Sequence, residues 1–171
     1  MGSSYLDEDG AIVSEIVSAV EMGVEVEDYV ACRAVGATHA EVLEALQTPD
    51  PGLEWGKTQS AHLILSIYGD TRAAGATHAE IMGAVGMGIR QHHYQNAREA
   101  GARHSQVMAV ARVRGVDEVY NYGEARSMGA SHSQLWPVLK SGGSLDQIVI
   151  DLDSEFGNGM TPAEVFRKQS F

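Results

Sequence analysis

The feature that most constrains the fold is a pattern of side chains that the chain repeats four times. It reads Tyr-x3-Arg-x2-Gly-Ala-x-His-x-[Glu/Gln]-[Val/Ile/Leu], and four of the six tyrosines and four of the seven histidines fall on it. A fixed period of roughly 20–50 residues is typical of stacked repeat architectures. The Tyr, Arg, Gly and His positions are, copy by copy, Tyr29, Arg33, Gly36 and His39; Tyr68, Arg72, Gly75 and His78; Tyr94, Arg98, Gly101 and His104; and Tyr122, Arg126, Gly129 and His132.

Two degenerate copies flank the four full ones. GAIVSEI at residues 10–16 lacks the histidine, and GMTPAEV at residues 159–165 has Pro162 in its place. The motif glycines are 26, 39, 26, 28 and 30 residues apart, so the unit has about 26 residues and the second interval carries an insertion of 13. Atypical end units are what a stack requires, because their outer faces meet water. The chain is therefore predicted to be a single repeat domain, with an N-terminal cap (5–23), repeat 1 (24–47), an inserted loop (48–58), repeat 2 (59–87), repeat 3 (88–114), repeat 4 (115–142) and a C-terminal cap (143–171).

Each unit is predicted to be two helices joined at the motif glycine. Tyr and Arg lie four residues apart and share a face of the first helix, which the glycine closes in a left-handed turn. The Thr-His-Ala-Glu and Ser-His-Ser-Gln segments that follow are capping boxes, and Arg103 at the cap position leaves the third box incomplete. First helices are expected at about 25–35, 59–74, 89–100, 116–128 and 144–157, and second helices at about 11–22, 38–47, 77–86, 103–113, 131–141 and 161–169. The predicted fold is all-α, a short solenoid of stacked helical hairpins.

The turn and its following helix resemble the helix-turn-helix of bacterial DNA-binding domains, with AREAGARHSQVMAV at residues 97–110 as the nearest match. The resemblance covers some twenty residues in each copy, and any capped hairpin with a glycine turn imitates it in part. As a whole, the chain resembles the short tandem helix-turn-helix repeat proteins of bacteria and bacteriophages. This resemblance implies a small intracellular protein and names no activity.

Composition and charge restrict the remaining classes. The single cysteine, Cys32, excludes an internal disulfide framework and a Cys-based zinc site. No apolar run reaches the roughly 18–20 residues that span a bilayer, and the acidic N-terminus lacks the features of an export signal. A cytoplasmic protein is the resulting expectation. The net charge of −11 is uneven: residues 1–50 hold eleven acidic side chains and one basic side chain, whereas the other 121 residues hold twelve and eleven.

The repeated Tyr, Arg and His are expected to be structural. Equivalent positions of stacked hairpins lie about 8–10 Å apart, too far for one metal ion to gather the histidines. Histidine at the first helical position is expected to pack between units, while Tyr and Arg join neighbouring units by hydrogen bonds. No nucleophile, base and orienting acid occur at a recognisable spacing. The sequence therefore predicts neither an enzyme nor a metal or cofactor site.

Two surfaces are candidates for binding a partner. The inserted loop carries Leu53, Trp55 and Lys57, and Trp55 is expected either to anchor an interface or to fill the groove between repeats 1 and 2. The second surface is the basic third repeat, where residues 88–114 have five arginines against one acid. Its candidate contact residues are Arg90, His92, His93, Arg103, Arg112 and Arg114.

The favoured function is a non-enzymatic adaptor, inhibitor or assembly factor that binds a macromolecular partner, most simply a protein. One alternative is a nucleic-acid-binding regulator that acts through the basic third repeat, where Arg and Gln are suitable for phosphates and base edges. Another is that the acidic N-terminal face mimics a nucleic acid. The separation of charge also permits head-to-tail self-association, acidic end to basic middle, which salt weakens.

Overall fold

The computed structural model describes residues 13–52, 59–154 and 159–168. Within these ranges the chain forms eleven α-helices and no strand. The predicted all-α stack of helical hairpins is confirmed. The helices are α1 (Val13–Glu21), α2 (Val26–Ala34), α3 (His39–Gln47), α4 (Ala61–Ala73), α5 (His78–Gly86), α6 (Gln91–Glu99), α7 (His104–Arg114), α8 (Glu118–Ser127), α9 (His132–Lys140), α10 (Asp146–Leu152) and α11 (Pro162–Lys168).

The first helices of the units form one continuous layer. In this layer α2 packs on α4, α4 on α6, α6 on α8 and α8 on α10. The second helices α3, α5 and α7 each pack against the first helix of the following unit, and α7 also contacts α9. The closest approach is between α6 and α8, where a Cβ added at Gly123 would lie 3.2 Å from the backbone nitrogen of Ala97. Small residues therefore let the first helices lie close together.

The capping boxes fix where the second helices begin. In α3 the Thr38 hydroxyl accepts from the Glu41 amide at 3.2 Å, and the Glu41 carboxylate accepts from the Thr38 amide at 2.9 Å. The same reciprocal pair begins α5 and α9. At α7 only half of the box is formed, because an arginine side chain carries no acceptor; Gln106 Oε1 accepts from the Arg103 amide at 3.0 Å. Each second helix of the four full units starts at its histidine, as the pattern predicts.

Glycines with positive φ follow the first helices of the units and also several of the second helices. Gly75, between α4 and α5, has φ +89°, a left-handed conformation that side-chain-bearing residues rarely adopt. Gly36, Gly101 and Gly129, the corresponding glycines of the other full units, also have positive φ and were predicted from the repeat. A second set of glycines with positive φ follows the second helices and was not predicted: Gly23, Gly88, Gly115 and Gly142. Repeat 1 has Thr48-Pro49-Asp50-Pro51 at that turn, which is where the insertion begins.

One predicted helix is wrong at its end. The helix expected to run from 144 to 157 stops at Leu152, because Asp153 has an extended backbone with ψ 124°. The Gly159 amide donates to the Asp153 carbonyl at 3.0 Å, and the Met160 amide donates to the Asp151 carbonyl at 2.9 Å. These bonds turn the chain towards α11 instead of continuing α10. All other described helix ends lie within two residues of the predicted bounds.

The core runs along the stack between the two layers. Its largest fully buried side chains include the four motif tyrosines, joined by Leu65, Ile89, Leu135 and Ile148. Alanines fill the remaining space, which agrees with a chain that has only three Phe and two Trp. None of the described helices is both long and apolar enough to cross a membrane.

Candidate functional site

A tyrosine–histidine hydrogen bond recurs in every full unit. The Tyr hydroxyl of the first helix lies 2.8–2.9 Å from the Nδ1 atom of the histidine ten residues later. Burial raises the pKa of Tyr68 and of Tyr94 to about 12, so both phenols stay protonated at neutral pH. Each full unit therefore joins the body of its first helix to the start of its second helix. The four pairs are Tyr29–His39, Tyr68–His78, Tyr94–His104 and Tyr122–His132.

The second unit shows the direction of the proton in this bond. Arg72 Nη1 donates to the Tyr68 hydroxyl oxygen at 3.2 Å, so the tyrosine proton is directed at Nδ1 of His78. The His78 Nε2 atom lies 2.8 Å from the Glu44 carboxylate of the preceding unit, to which an Nε2–H donates. His78 consequently links three helices, and neither ring nitrogen is left for another ligand.

The motif arginine reaches back to the preceding unit. Arg72 donates to the Gly36 carbonyl and to Glu41 Oε2, both at 3.2 Å. Burial opposes ionisation of Glu41, but the Thr38 amide and the Arg72 charge outweigh it and lower its pKa. Arg72 therefore binds the turn and the capping box of repeat 1 together. The corresponding contacts of the other units are Arg33 to Glu15, Arg98 to Glu80 and Arg126 to the Ala100 carbonyl.

The motif residues are thus distributed along the stack and converge on no single site. Among the described residues, no group of three or more His, Cys, Asp or Glu side chains is placed to hold a metal ion. The surface outside the motif is where the candidate contacts lie.

The six candidate residues of the basic repeat are not brought into one patch. Arg90 and His92 line a cleft of about 340 Å³ between α4 and α6, at the base of the insertion. Arg103 lies at the opposite end of α7 from Arg112, roughly 14 Å away at 1.5 Å per residue. His93 is only 9% exposed, because its ring packs against His92 and against Tyr120 of α8. His93 therefore offers no surface to a partner, contrary to the expectation from its charge and position.

Asp50 is a polar residue that sequence reasoning missed. It is 6% exposed, and its Oδ1 accepts from the Gln91 amide and from the Gly52 amide, both at 3.3 Å. Gln91 is the first residue of α6, whose cap residue Arg90 makes no side-chain capping bond. Asp50 thus supplies from 41 positions away the acceptor that a local Ser or Asp normally provides. The Asp-Pro turn was a signal for a loop, but nothing in its spacing indicates this long-range cap.

A basic surface remains on α7 and α9. Arg112 and Lys140 each follow the motif histidine of their helix by eight residues, so they occupy equivalent, exposed positions on adjacent second helices. Arg114 is exposed beside them, with Nη1 3.7 Å from where a Cβ of Gly142 would lie. We call Arg112, Arg114 and Lys140 the basic face. Residues 100–116 and 125–145 contain no Asp or Glu, and within the described part of the chain these three cations form no ion pair.

Small side chains surround the basic face. One residue after the motif histidine, the exposed positions hold Ala or Ser in every unit. Five residues after it, repeats 2, 3 and 4 hold Gly83, Ala109 and Pro137, whereas repeat 1 holds Glu44. At these positions a partner can therefore approach the backbone of α7 and α9 closely, whereas at the equivalent position of repeat 1 it meets Glu44.

The loop candidates Leu53, Trp55 and Lys57 lie outside the described residues, so their contacts stay a prediction. The fold defines an all-α helical-repeat protein, and three of its twelve Lys and Arg side chains form the basic face on two adjacent helices. No protein-family model, curated protein or solved structure matches the chain. The candidate surface is accordingly defined by the contacts and charges of this chain alone.

Proposed function

We propose that this protein is a non-enzymatic helical-repeat scaffold that binds an acidic segment of a partner protein through the basic face. The observation that carries the proposal is a face of three cations that have no ion-pair partner in the described ranges, on a chain of net charge −11. Charges at an exposed face contribute more to partner selection and association rate than to stability. Three like charges on adjacent helices that form no ion pair within the described residues are consistent with selection of an acidic partner.

The motif residues support a scaffold because they are occupied by the stack itself. Tyr68, His78 and Arg72 bind one another or the preceding unit, and the other units repeat most of these contacts. A stack held by such links is rigid, and a rigid scaffold loses little conformational entropy when a partner binds. We extend the proposal to kinship with the tandem helix-turn-helix repeat proteins of bacteria and bacteriophages, and to a cytoplasmic location.

A protein partner is favoured over duplex DNA for two reasons. Gln106 and Gln134, the residues best suited to read base edges, direct their Oε1 atoms at the capping amides of their own helices. A duplex that lay across successive second helices would also approach Glu44 and Glu80 of the earlier units, which repel phosphate. A short acidic segment needs only the few cations that α7 and α9 provide.

The test measures fluorescence anisotropy of a labelled peptide of alternating Glu and Ala, with a labelled DNA duplex as a second probe. At about 0.1 M salt, the peptide is expected to bind the wild-type protein, and Arg112→Glu with Lys140→Glu is expected to weaken binding about tenfold or more. The matched control is Arg167→Glu with Lys168→Glu, which makes the same change in net charge on α11. It is expected to leave the peptide affinity within about twofold.

Three results would contradict the proposal. They are tighter binding of the duplex than of the peptide, equal losses in the two double variants, and no peptide binding at millimolar protein. Circular dichroism of each variant verifies that the helices are intact before affinities are compared. We also propose that the loop at 50–57 takes part in binding the partner. A Trp55→Ala variant whose melting temperature is unchanged, but whose peptide affinity falls, would support this role.

A further inference from the structure

A second mixed surface lies at the N-terminal end of the stack. Around the turn between α1 and α2, Val20, Met22 and Val26 are each about 45% exposed. Glu21, Glu25 and Glu27 alternate with them and are exposed as well. We call these six residues the acidic end. Large apolar side chains that cluster on an exposed surface between charges of one sign are typical of a site that another molecule covers.

The basic face has the same construction with the opposite charge. Val113 is 48% exposed and lies between Arg112 and Arg114, with Lys140 on the adjacent helix. Both surfaces therefore combine apolar side chains with charges of a single sign. The two differ in sign and lie in different units of the stack, in the first hairpin and in repeats 3 and 4.

We propose that the acidic partner is a second copy of this chain, whose acidic end docks on the basic face of the first. This inference rests on the proposed function, because it uses the same face and identifies its occupant. The two surfaces are different, so the contact is heterologous, and each copy can bind one neighbour through each surface. The expected product is an open head-to-tail chain whose length increases with protein concentration.

Because the two surfaces are charged, the salt concentration determines whether this association is observed. Two copies of net charge −11 repel each other at long range, but at about 0.1 M salt the Debye length is about 10 Å, which screens that repulsion more than it screens groups in contact. At about 1 M salt the Debye length is about 3 Å, and the attraction between the two surfaces is largely lost. Association is therefore expected at moderate salt and is expected to weaken as salt rises further.

Sedimentation velocity on the full chain tests the proposal across a concentration series at both salt concentrations. The wild-type protein is expected to sediment faster as concentration rises at about 0.1 M salt, and to return towards the monomer at about 1 M. Two double variants are each expected to remain monomeric: Arg112→Glu with Lys140→Glu, and Glu21→Arg with Glu25→Arg. Neither glutamate makes a side-chain hydrogen bond within the described residues, so the fold is expected to tolerate their reversal.

Mixing the two double variants supplies the decisive comparison. One copy then carries an intact basic face and the other an intact acidic end, so the mixture is expected to associate although neither variant does alone. The Arg167→Glu and Lys168→Glu control is expected to self-associate like the wild type. Failure of the mixture to associate, or association that survives both double variants, would overturn the proposal.

The peptide measurement separates this inference from the proposed function. A monomeric wild-type protein that binds the acidic peptide through Arg112 and Lys140 would reject self-association and keep the scaffold function with another acidic partner. A protein that binds no peptide and stays monomeric would reject both. A protein that self-associates through other residues, and still binds the peptide, would reject only the docking surfaces proposed for the second copy.

Discussion

At the scale of single residues, three side chains of the repeat motif have different structural roles. The tyrosine fills the core and donates to the histidine, the histidine begins the next helix, and the arginine binds the preceding unit. The tyrosine and the histidine each depend on the other for stability. If the histidine is removed, the buried tyrosine hydroxyl loses its hydrogen bond but still pays the cost of desolvation, and the same holds for the histidine nitrogen if the tyrosine is removed. The repetition of all three together is explained by this mutual dependence.

Removal of one tyrosine hydroxyl isolates this link. Tyr94→Phe deletes the donor 2.8 Å from His104 Nδ1 and keeps the buried ring, so the free energy of unfolding is expected to fall by about 1–2 kcal/mol. Tyr120→Phe is the matched control, because Tyr120 is 44% exposed and lies outside the motif, and it is expected to change stability by less than about 0.5 kcal/mol. Urea denaturation of both variants measures the difference. Equal effects would show that the tyrosine–histidine bond contributes nothing.

Sequence reasoning succeeded in part at the residues whose partners are local or repeated. The contacts of the motif arginines with the preceding unit follow from the repeat and agree with the prediction. The tyrosines differ from it, because each tyrosine hydroxyl bonds the histidine of its own unit where a link to a neighbouring unit was expected. Asp50 was missed because its partner, the Gln91 amide, is 41 residues away and the pairing depends on how the insertion folds back. His93 was misplaced as a surface residue, since its burial depends on the close contact between α6 and α8 and not on its own neighbours in the chain.

At the scale of helices, the boundaries were set by local chemistry that the sequence displays. Hydroxyl–carboxylate boxes begin helices and glycines end them, and both signals act over three or four residues. The exception is α10, which ends early because the Gly159 and Met160 amides bond to carbonyls six and nine residues before them. No residue type in the sequence indicates these backbone bonds. Helix ends set by a cap are therefore predictable, whereas ends set by a returning loop are not.

The same substitution at two glycines of one unit is expected to have opposite effects. Gly75 has φ +89° at the end of α4, so Gly75→Ala is expected to lower the free energy of unfolding by about 1 kcal/mol or more. Gly83 is an exposed glycine inside α5, with open space where a Cβ would lie, and Gly83→Ala is expected to raise stability by up to about 1 kcal/mol. Thermal and urea denaturation measure both. Two shifts of the same sign would contradict the assignment of Gly75 to the turn and Gly83 to the helix.

At the scale of the whole molecule, stability is expected to be a sum of units and their neighbour contacts. The order and pairing of the units follow from the repeat, which is why the stack was predictable from the sequence. The basic face was predictable only in part: Arg112 and Lys140 are both eight residues after a motif histidine, a register that the repeat contains. Arg90 and Arg103 seemed to belong with them by charge, but the stack places them at other edges of the hairpin.

Buried histidines are expected to make the stack sensitive to acid. Burial, together with the nearby His92 and Arg90, lowers the pKa of His93 from 6.5 to about 4, although Asp50 and Asp117 act in the opposite direction. Burial also lowers the pKa of His104 and of His132. Between the unfolded and folded values the unfolded chain binds more protons, so the stability that these neutral histidines contribute is complete above about pH 6.5 and is lost as the pH falls below it.

A variant that lacks the His93 ring tests this dependence. For a group shifted as far as His93, the free energy of unfolding is expected to fall by about 1 kcal/mol between pH 7.5 and pH 5.5, a window in which ordinary carboxylates stay ionised. His93→Gln removes the titrating ring, and urea denaturation across this window is expected to show a shallower decline than in the wild type. Gly83→Ala is the control, because it removes no titratable group and lies at an exposed position of α5, and it is expected to leave the decline parallel to that of the wild type. The remaining slope of His93→Gln includes the contribution of His104 and His132, whose rings accept the tyrosine protons that join the two helices within repeat 3 and within repeat 4. A wild-type stability that stays level from pH 7.5 to 5.5 would mean that these rings are hydrated and protonated in place, and that the tyrosine–histidine links do not require the neutral form.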